Sequence, residues 1–231
     1  MLESPVASSA PSSPPDLLTA RGAQAGIPTR LIAAGLAVLG LSALLIVVIG
    51  QYTNLDTLLS DIYFDRVHQT FPWDHSWFAR DFMHGHVKKL ILWLGLSFVG
   101  IAVIDLCRPF ARLSLLRRVQ LRFVALASIL EPLLVRSLKE RSSLHCPFSV
   151  DLYGGNYPLL RLLDAVPAGW PAGQCFPAGH ASAGMWLSAL AVLWLPHAPR
   201  KALAVFAAGL GFGLFMGWVQ QMRGMHFLTH T

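Results

Sequence analysis

Charged residues are scarce in this sequence of 231 residues. Asp, Glu, Lys and Arg make up only 13% of it, whereas 54% is hydrophobic. Soluble domains carry about 25% charged residues, so the composition argues against a soluble protein. Residues 31–50 contain no charge at all, and a stretch of that length is sufficient to cross the hydrocarbon core of a bilayer. The sequence therefore predicts a membrane protein.

Three further absences narrow the alternatives. A cleavable signal peptide is not apparent, because Glu3 and Asp16 precede any apolar run in a region rich in Ser, Pro and Ala; we expect residues 1–27 to be a disordered tail. No internal repeat is visible, which favours one helical membrane domain over residues 28–231. The sequence also lacks the stripe of aromatic and basic residues that binds single strands, so the net charge of +6 does not indicate a nucleic-acid partner.

Five apolar segments predict an all-α fold, a polytopic bundle of about five transmembrane helices. Three of them are only about fifteen or sixteen residues long, which is short for a span but acceptable when interfacial residues flank it. The predicted spans are residues 31–50, 90–104, 123–138, 181–196 and 202–222.

The basic residues predict the orientation of these spans. They are concentrated in the loops 107–122 and 197–201, and loops rich in Lys and Arg face the cytoplasm. Residues 51–89, 139–180 and 223–231 then share the outer side.

Two features of the outer side are suited to binding an anion. Lys139, with Arg136 and Arg141 nearby, forms a positive cluster, although such side chains also extend towards lipid headgroups. In the stretch QCFPAGHASAGMW, Gly179 allows close approach of a ligand, and amides at a helix start bind anions. His180 then lies beside the anion and exchanges protons near neutral pH; the alternative is a structural histidine at a helix end.

A second pair of histidines lies near the end of the chain. His226 and His230 are four residues apart, so on a helix they share one face, with Arg223 one turn earlier. They are either metal ligands, interfacial histidines, or a nucleophile with a supporting partner. A metal site usually needs three or four ligands, and the outer side offers further histidines. These are His68, His75, His84, His86 and His145.

The order of Lys139, Gly179-His180 and His226 resembles the type 2 phosphatidic acid phosphatase (PAP2) superfamily, which includes vanadium-dependent haloperoxidases. That family carries Lys-x6-Arg-Pro, Pro-Ser-Gly-His and Ser-Arg-x5-His-x3-Asp. Lys139 is followed at the matching distance by Cys146-Pro147, and the second motif matches except for Ala178. The resemblance covers about residues 85–231. It extends to a bacterial branch with HCP, YGG and CFPAGHASAG, found here at 145–147, 153–155 and 175–184.

The sequence also departs from the family pattern. Cys146 stands in place of Arg, Ala178 in place of Ser, and His230 in place of the Asp that orients the nucleophile. Val219 and Gln220 stand in place of Ser-Arg, and Arg223 follows three residues later. The sequence ends at Thr231, before the sixth helix of the family core, so a truncated reading frame or a need for a partner is expected.

The resemblance implies a chemistry and a set of roles. His226 is the nucleophile that forms a phosphohistidine, His180 is the general acid and base, and His230 accepts a hydrogen bond from His226. Lys139, Ala178 and Gly179 hold the phosphate oxygens, and Arg141 and Arg223 are candidates to replace the missing arginines. No metal or other cofactor is required.

The implied substrate is a membrane lipid phosphate or diphosphate, in the inner membrane of a bacterium, with a multi-pass chain and a site facing the periplasm. Because that side is oxidising, we expect a disulfide between Cys146 and Cys175, while Cys107 stays reduced. Two alternatives remain: a metal- or haem-binding membrane protein that uses the outer histidines, or a catalytically silent relative that binds without turnover.

Overall fold

The computed structural model describes residues 29–231, which form helices and, within that range, no strands beyond isolated bridges. The all-α prediction is confirmed. The predicted tail at residues 1–27 lies outside the described residues. The α-helices are α1 (Thr29–Tyr52), α2 (Leu55–Asp61), α3 (Lys88–Cys107), α4 (Leu115–Glu140), α5 (Gly179–Met185) and α6 (Pro199–Met222).

Two helical segments of other types extend this set. A π-helix, Phe78–Val87, runs directly into α3, and a 3₁₀-helix, Trp186–Trp194, continues α5. The chain divides into two compact units after Leu44. The second unit, Leu45–Thr231, contains the site described below. Its short 3₁₀ turns are Pro72–His75, Pro147–Ser149, Asp151–Tyr153 and Leu228–His230.

Three of the described helices are long and apolar enough to cross a membrane: Thr29–Tyr52, Phe78–Cys107 and Pro199–Met222. They coincide with the first, second and fifth predicted spans. The third predicted span lies in α4, whose 26 residues carry charged side chains along their length. The fourth is divided between α5 and the 3₁₀-helix that follows it.

The divided segment is longer than its residue count indicates. An α-helix rises about 1.5 Å per residue and a 3₁₀-helix about 2.0 Å. The seven residues of α5 and the nine of Trp186–Trp194 therefore extend over roughly 28 Å, close to the hydrocarbon thickness of about 30 Å. Tightening of the helix therefore gives a sixteen-residue segment a length close to that thickness.

Glycines allow this segment to pack closely against α6. A Cβ on Gly184 would lie 2.9 Å from the Cα of Gly213, and a Cβ on Gly209 would lie 2.4 Å from the main-chain nitrogen of Ser188. Small residues of this kind let helix backbones approach each other inside a membrane. The contact matters for the site because α5 begins with Gly179 and His180.

We expect Gly213→Ala to destabilise the protein and Gly211→Ala to leave its stability nearly unchanged. A Cβ at position 213 would lie 2.4 Å from Cγ of Met185 and 2.8 Å from its main-chain nitrogen, whereas a Cβ at position 211 would meet nothing within 4 Å. Overpacking of this kind costs about 1–3 kcal/mol. Thermal unfolding of both variants in the same detergent measures the difference. Equal melting temperatures would contradict the packing described here.

At the end of the helices where the basic loops lie, several of the arginines have local partners. The buried carboxylate of Asp105 forms ion pairs with Arg122, at 3.2 Å, and with Arg118, at 3.7 Å. The side-chain amide of Gln120 donates to the carbonyl oxygens of Val192 and Leu195. These contacts join α3, α4 and the 3₁₀-helix at this end.

At the opposite end, the three segments predicted to share the outer side pack against one another. Phe64, Phe71, Val150, Tyr153 and Phe227 form a buried apolar cluster. Each of the three segments contributes at least one of these side chains. The three segments therefore pack together around one apolar cluster at this end.

Candidate active site

Main-chain hydrogen bonds place two of the motif segments side by side. The amides of Gly173 and Cys175 donate to the carbonyl oxygens of Ser143 and Leu144, at 3.1 and 3.0 Å. Gly173 has no room for a side chain, because a Cβ would lie 2.4 Å from the carbonyl oxygen of Leu144. A disulfide between Cys146 and Cys175, with a Cα–Cα distance of 5.2 Å, joins the same segments covalently.

The HCP and YGG residues shape the loop that carries Cys146. The ring of His145 stacks on Tyr157 at a centroid distance of 4.0 Å. Gly154 adopts a left-handed φ of 80°, and a Cβ on Gly155 would lie 2.1 Å from the main-chain carbon of Ser149. Glycine is therefore required at both positions of this turn.

The chain turns sharply after α6, so that His226 and His230 do not share a helix. Gly224 has a φ of 69°, and a Cβ there would lie 2.3 Å from the ring of Phe71. The expectation that one helical face presents both histidines is wrong for this reason. Their ring centroids are 6.0 Å apart, and no hydrogen bond joins the two rings within the described residues.

His230 links the C-terminal segment to the second motif through its main chain. Its carbonyl oxygen accepts a hydrogen bond of 2.6 Å from the amide of Ala178. That amide is therefore occupied, and it does not contact the cavity described below. Burial, followed by the charge of Lys139, lowers the pKa of His230 to about 3. Nδ1 of its ring is buried without a hydrogen-bond partner.

His226 is buried, with 3% of its surface exposed, against the disulfide. Nδ1 of its ring lies 3.4 Å from Sγ of Cys175. Burial, followed by the charges of His230 and Lys139, lowers the pKa of His226 to about 3. The imidazole is uncharged at neutral pH, which is the form that a nucleophile requires.

His180 lies in the first turn of α5 and stacks against a second histidine. Its ring centroid is 4.3 Å from that of His84, which belongs to the π-helix Phe78–Val87. Burial lowers the pKa of His180 to about 2, with Lys88 as the strongest contributing charge. Nε2 of His180 and Nδ1 of His84 are both buried without a partner. The sequence indicated His84 only as a possible metal ligand.

A cavity of about 480 Å³ lies between α3, α4 and the start of α5. One part of its lining is polar and includes Lys88, Lys139, Gly179 and His180. A Cβ on Gly179 would meet nothing within 4 Å, so the main chain there is open to a ligand. The remaining lining is mainly apolar, including Ile91, Leu92, Leu96, Val99, Ile129 and Leu133.

The three predicted cations have different surroundings. Lys139 borders the cavity. Arg141 is exposed and donates to the carbonyl oxygen of Ser137 in its own helix. Arg223 is buried, and its guanidinium binds the carboxylate of Asp74 at 2.6 and 3.0 Å. Sequence reasoning missed Asp74, which lies 149 residues from its partner.

The geometry gives little support to the predicted alternative, a metal site. Among residues 29–231, Cys146, Cys175 and His226 form the one group of three potential ligands that converge. Both cysteines are in the disulfide, and thiolates, not disulfides, bind metals. Two of the other predicted ligands have separate partners: Nδ1 of His68 contacts Asp65, and Nδ1 of His86 contacts the carbonyl oxygen of Asp81.

A family model, that of the PAP2 superfamily, matches residues 120–231. These residues belong to the PAP2 superfamily. No curated protein and no solved structure matches the chain significantly.

The PAP2 domain contains Lys139, His180, His226 and the disulfide, but it does not contain the whole site. His84 and Lys88 precede the matched residues, yet one stacks on His180 and the other borders the cavity. The chain thus combines a PAP2 domain at residues 120–231 with three described helices that are long and apolar enough to cross a membrane.

Proposed function

We propose that this protein is an integral membrane phosphatase or phosphotransferase that acts on a lipid-linked phosphate or diphosphate through a phosphohistidine intermediate. The observation that carries the proposal is the cavity of about 480 Å³, which combines Lys88, Lys139 and His180 with an apolar lining from α3 and α4. Cations suit a phosphate, and the apolar lining suits the lipid chain attached to it.

His226 is the nucleophile in this mechanism. Because its Nδ1 faces Cys175 at 3.4 Å, we assign the proton to Nδ1 and the reactive lone pair to Nε2. A bond forms between Nε2 and phosphorus as the bond between phosphorus and the leaving oxygen breaks. Lys139 stabilises the phosphoryl oxygens during this step.

His180 transfers the protons. In the free site its pKa is lowered to about 2 by burial and by neighbouring positive charges. A bound phosphate adds negative charge beside the ring and raises that pKa, which favours protonation of His180 in the complex. It gives this proton to the leaving oxygen, then accepts one from the water or acceptor that attacks phosphorus. Cleavage of the P–N bond regenerates His226.

One observation favours a second candidate function. His226 is buried and does not belong to the lining of the cavity, so substrate must displace neighbouring side chains to reach it, as in enzymes that close or rearrange on binding. A protein that lacks this rearrangement would bind a lipid phosphate in the same cavity without turnover. The site would then be a binding module on the PAP2 fold.

A substrate panel tests the proposed activity. We expect the purified chain to release phosphate from phosphatidate, polyprenyl diphosphate or lipid A in mixed micelles. We expect at least about tenfold lower kcat/KM for glycerol phosphate, since a loss of 1.4 kcal/mol in binding corresponds to a factor of ten. The His226→Gln variant, prepared in parallel, reports any contaminating phosphatase. Equal rates for glycerol phosphate and the lipids would contradict the role of the apolar lining, and lipid binding without phosphate release would support the binding module.

The proposal also concerns location and partners. We place the site on the outer face of a bacterial inner membrane, where it meets lipid phosphates of the outer leaflet. The basic loops 107–122 and 197–201 then lie in the cytoplasm, in agreement with the positive-inside rule. The partners are the bilayer and its lipids, without nucleic acid.

A further inference from the structure

The site has few positive charges where the PAP2 pattern has arginines. Cys146 and Gln220 occupy the two arginine positions. Arg223 does not replace them freely, because its guanidinium binds Asp74 and donates to the side-chain oxygen of Gln220 at 3.0 Å. Arg141 is exposed and bound to its own helix. A phosphate in the cavity therefore needs another cation.

Lys88 lies where such a cation is needed. It is the first residue of α3 and borders the cavity together with Lys139 and His180. Within residues 29–231 its ammonium group forms no ion pair. Arg136 also borders the cavity, but its guanidinium pairs with Glu140 at 2.8 Å on the exposed side of α4.

The charges of Lys88 and Lys139 act on each other across this region. After burial, the charge of Lys88 is what lowers the pKa of the Lys139 ammonium group. Two ammonium groups that share one cavity repel each other unless an anion lies between them. The polar lining is thus arranged for an anion that contacts both side chains.

We propose that Lys88 is a substrate-binding residue, which contacts the phosphate group in the cavity together with Lys139 and supplies positive charge that the missing arginines do not. The inference rests on the proposed function, since it concerns the same site. It adds a residue that lies outside the matched PAP2 domain and outside its three motifs.

Binding measurements on the full chain test this role. Dioctanoyl phosphatidate is titrated in detergent against the wild type and Lys88→Gln, Lys88→Arg, Lys89→Gln and Lys139→Gln. Lys89 is the matched control, because it is the next residue of α3 and does not border the cavity. We expect Lys88→Gln to bind about 10- to 100-fold more weakly, the effect of losing one hydrogen bond to a charged group. Lys88→Arg should retain most of the affinity, and Lys89→Gln should match the wild type.

The kinetic readout separates substrate binding from a structural role. Lys88→Gln should raise KM by the same factor with a smaller change in kcat, while the melting temperature stays that of the wild type. Wild-type affinity in Lys88→Gln, or an equal loss in Lys89→Gln, would overturn the proposal. A wild type that binds the lipid but releases no phosphate would refute the phosphatase and leave the Lys88 site standing. Failure of the wild-type protein to bind dioctanoyl phosphatidate would refute the Lys88 site.

Discussion

His226→Ala is expected to abolish phosphate release and covalent labelling of the protein together. If Nε2 of His226 forms the bond to phosphorus, its removal leaves no group to take the phosphoryl group, and loss of a nucleophile lowers kcat by about three orders of magnitude or more. Rapid quenching with lipid labelled at phosphorus measures both effects. Phosphohistidine is distinguished from phosphoserine because it is labile to acid.

His180→Ala provides the contrasting variant. It retains the nucleophile, so labelling should persist with a substrate whose leaving group needs no proton, such as a p-nitrophenyl phosphate. Turnover of a lipid monophosphate should fall by about 10²–10⁴-fold, the usual contribution of general acid and base catalysis. Equal loss of labelling and turnover in both variants, with unchanged melting temperatures, would contradict the separate roles of His180 and His226.

The sequence motifs identified residues that the structure brings together in one candidate cavity. Lys139 and Gly179-His180 border one cavity, and the PAP2 match covers them. Contacts between distant segments were not predictable from spacing. The pairing of Arg223 with Asp74 spans 149 residues, and the stacking of His180 on His84 depends on how α5 packs beside the start of α3.

The surroundings of His230 and Ala178 both differ from those that the sequence predicted, and the two differences have a common physical cause. A helical spacing of four residues places two side chains on one face only where the helix continues, and the left-handed Gly224 prevents this after α6. The segment instead returns to the second motif, where the carbonyl oxygen of His230 binds the amide of Ala178. The turn at Gly224 therefore separates the two histidine side chains and brings the main chain of His230 to the second motif.

For the predicted spans, too, the features set by local composition were predictable and those set by tertiary contacts were not. Hydropathy identified the three long apolar helices. It did not reveal that the fourth segment changes from α5 to a 3₁₀-helix at Trp186, because this change depends on tertiary contacts rather than on composition. Its close packing on α6 requires Gly209 and Gly213, which appeared in the sequence only as small residues among others.

Removal of the disulfide is expected to have the second large effect, on stability. The bond closes a loop with a sequence separation of 29 residues, for which the chain-entropy relation gives about 3.5 kcal/mol. A Cys146→Ser/Cys175→Ser variant should therefore unfold at a markedly lower temperature or denaturant concentration in detergent. Cys107→Ser is the matched control, because Cys107 is an exposed free thiol. Its unfolding should coincide with that of the wild type.

The same double variant should also lose activity by more than its fraction unfolded explains. Sγ of Cys175 lies against the ring of His226, and Cys146 follows the segment that leads from Lys139. The main-chain pairing of residues 142–144 with residues 173–175 remains in the variant, so we expect a partial loss in kcat at a temperature where the protein is folded. Unchanged stability in the double variant would contradict the stabilising role of the bond. Full activity would show that main-chain pairing alone positions His226.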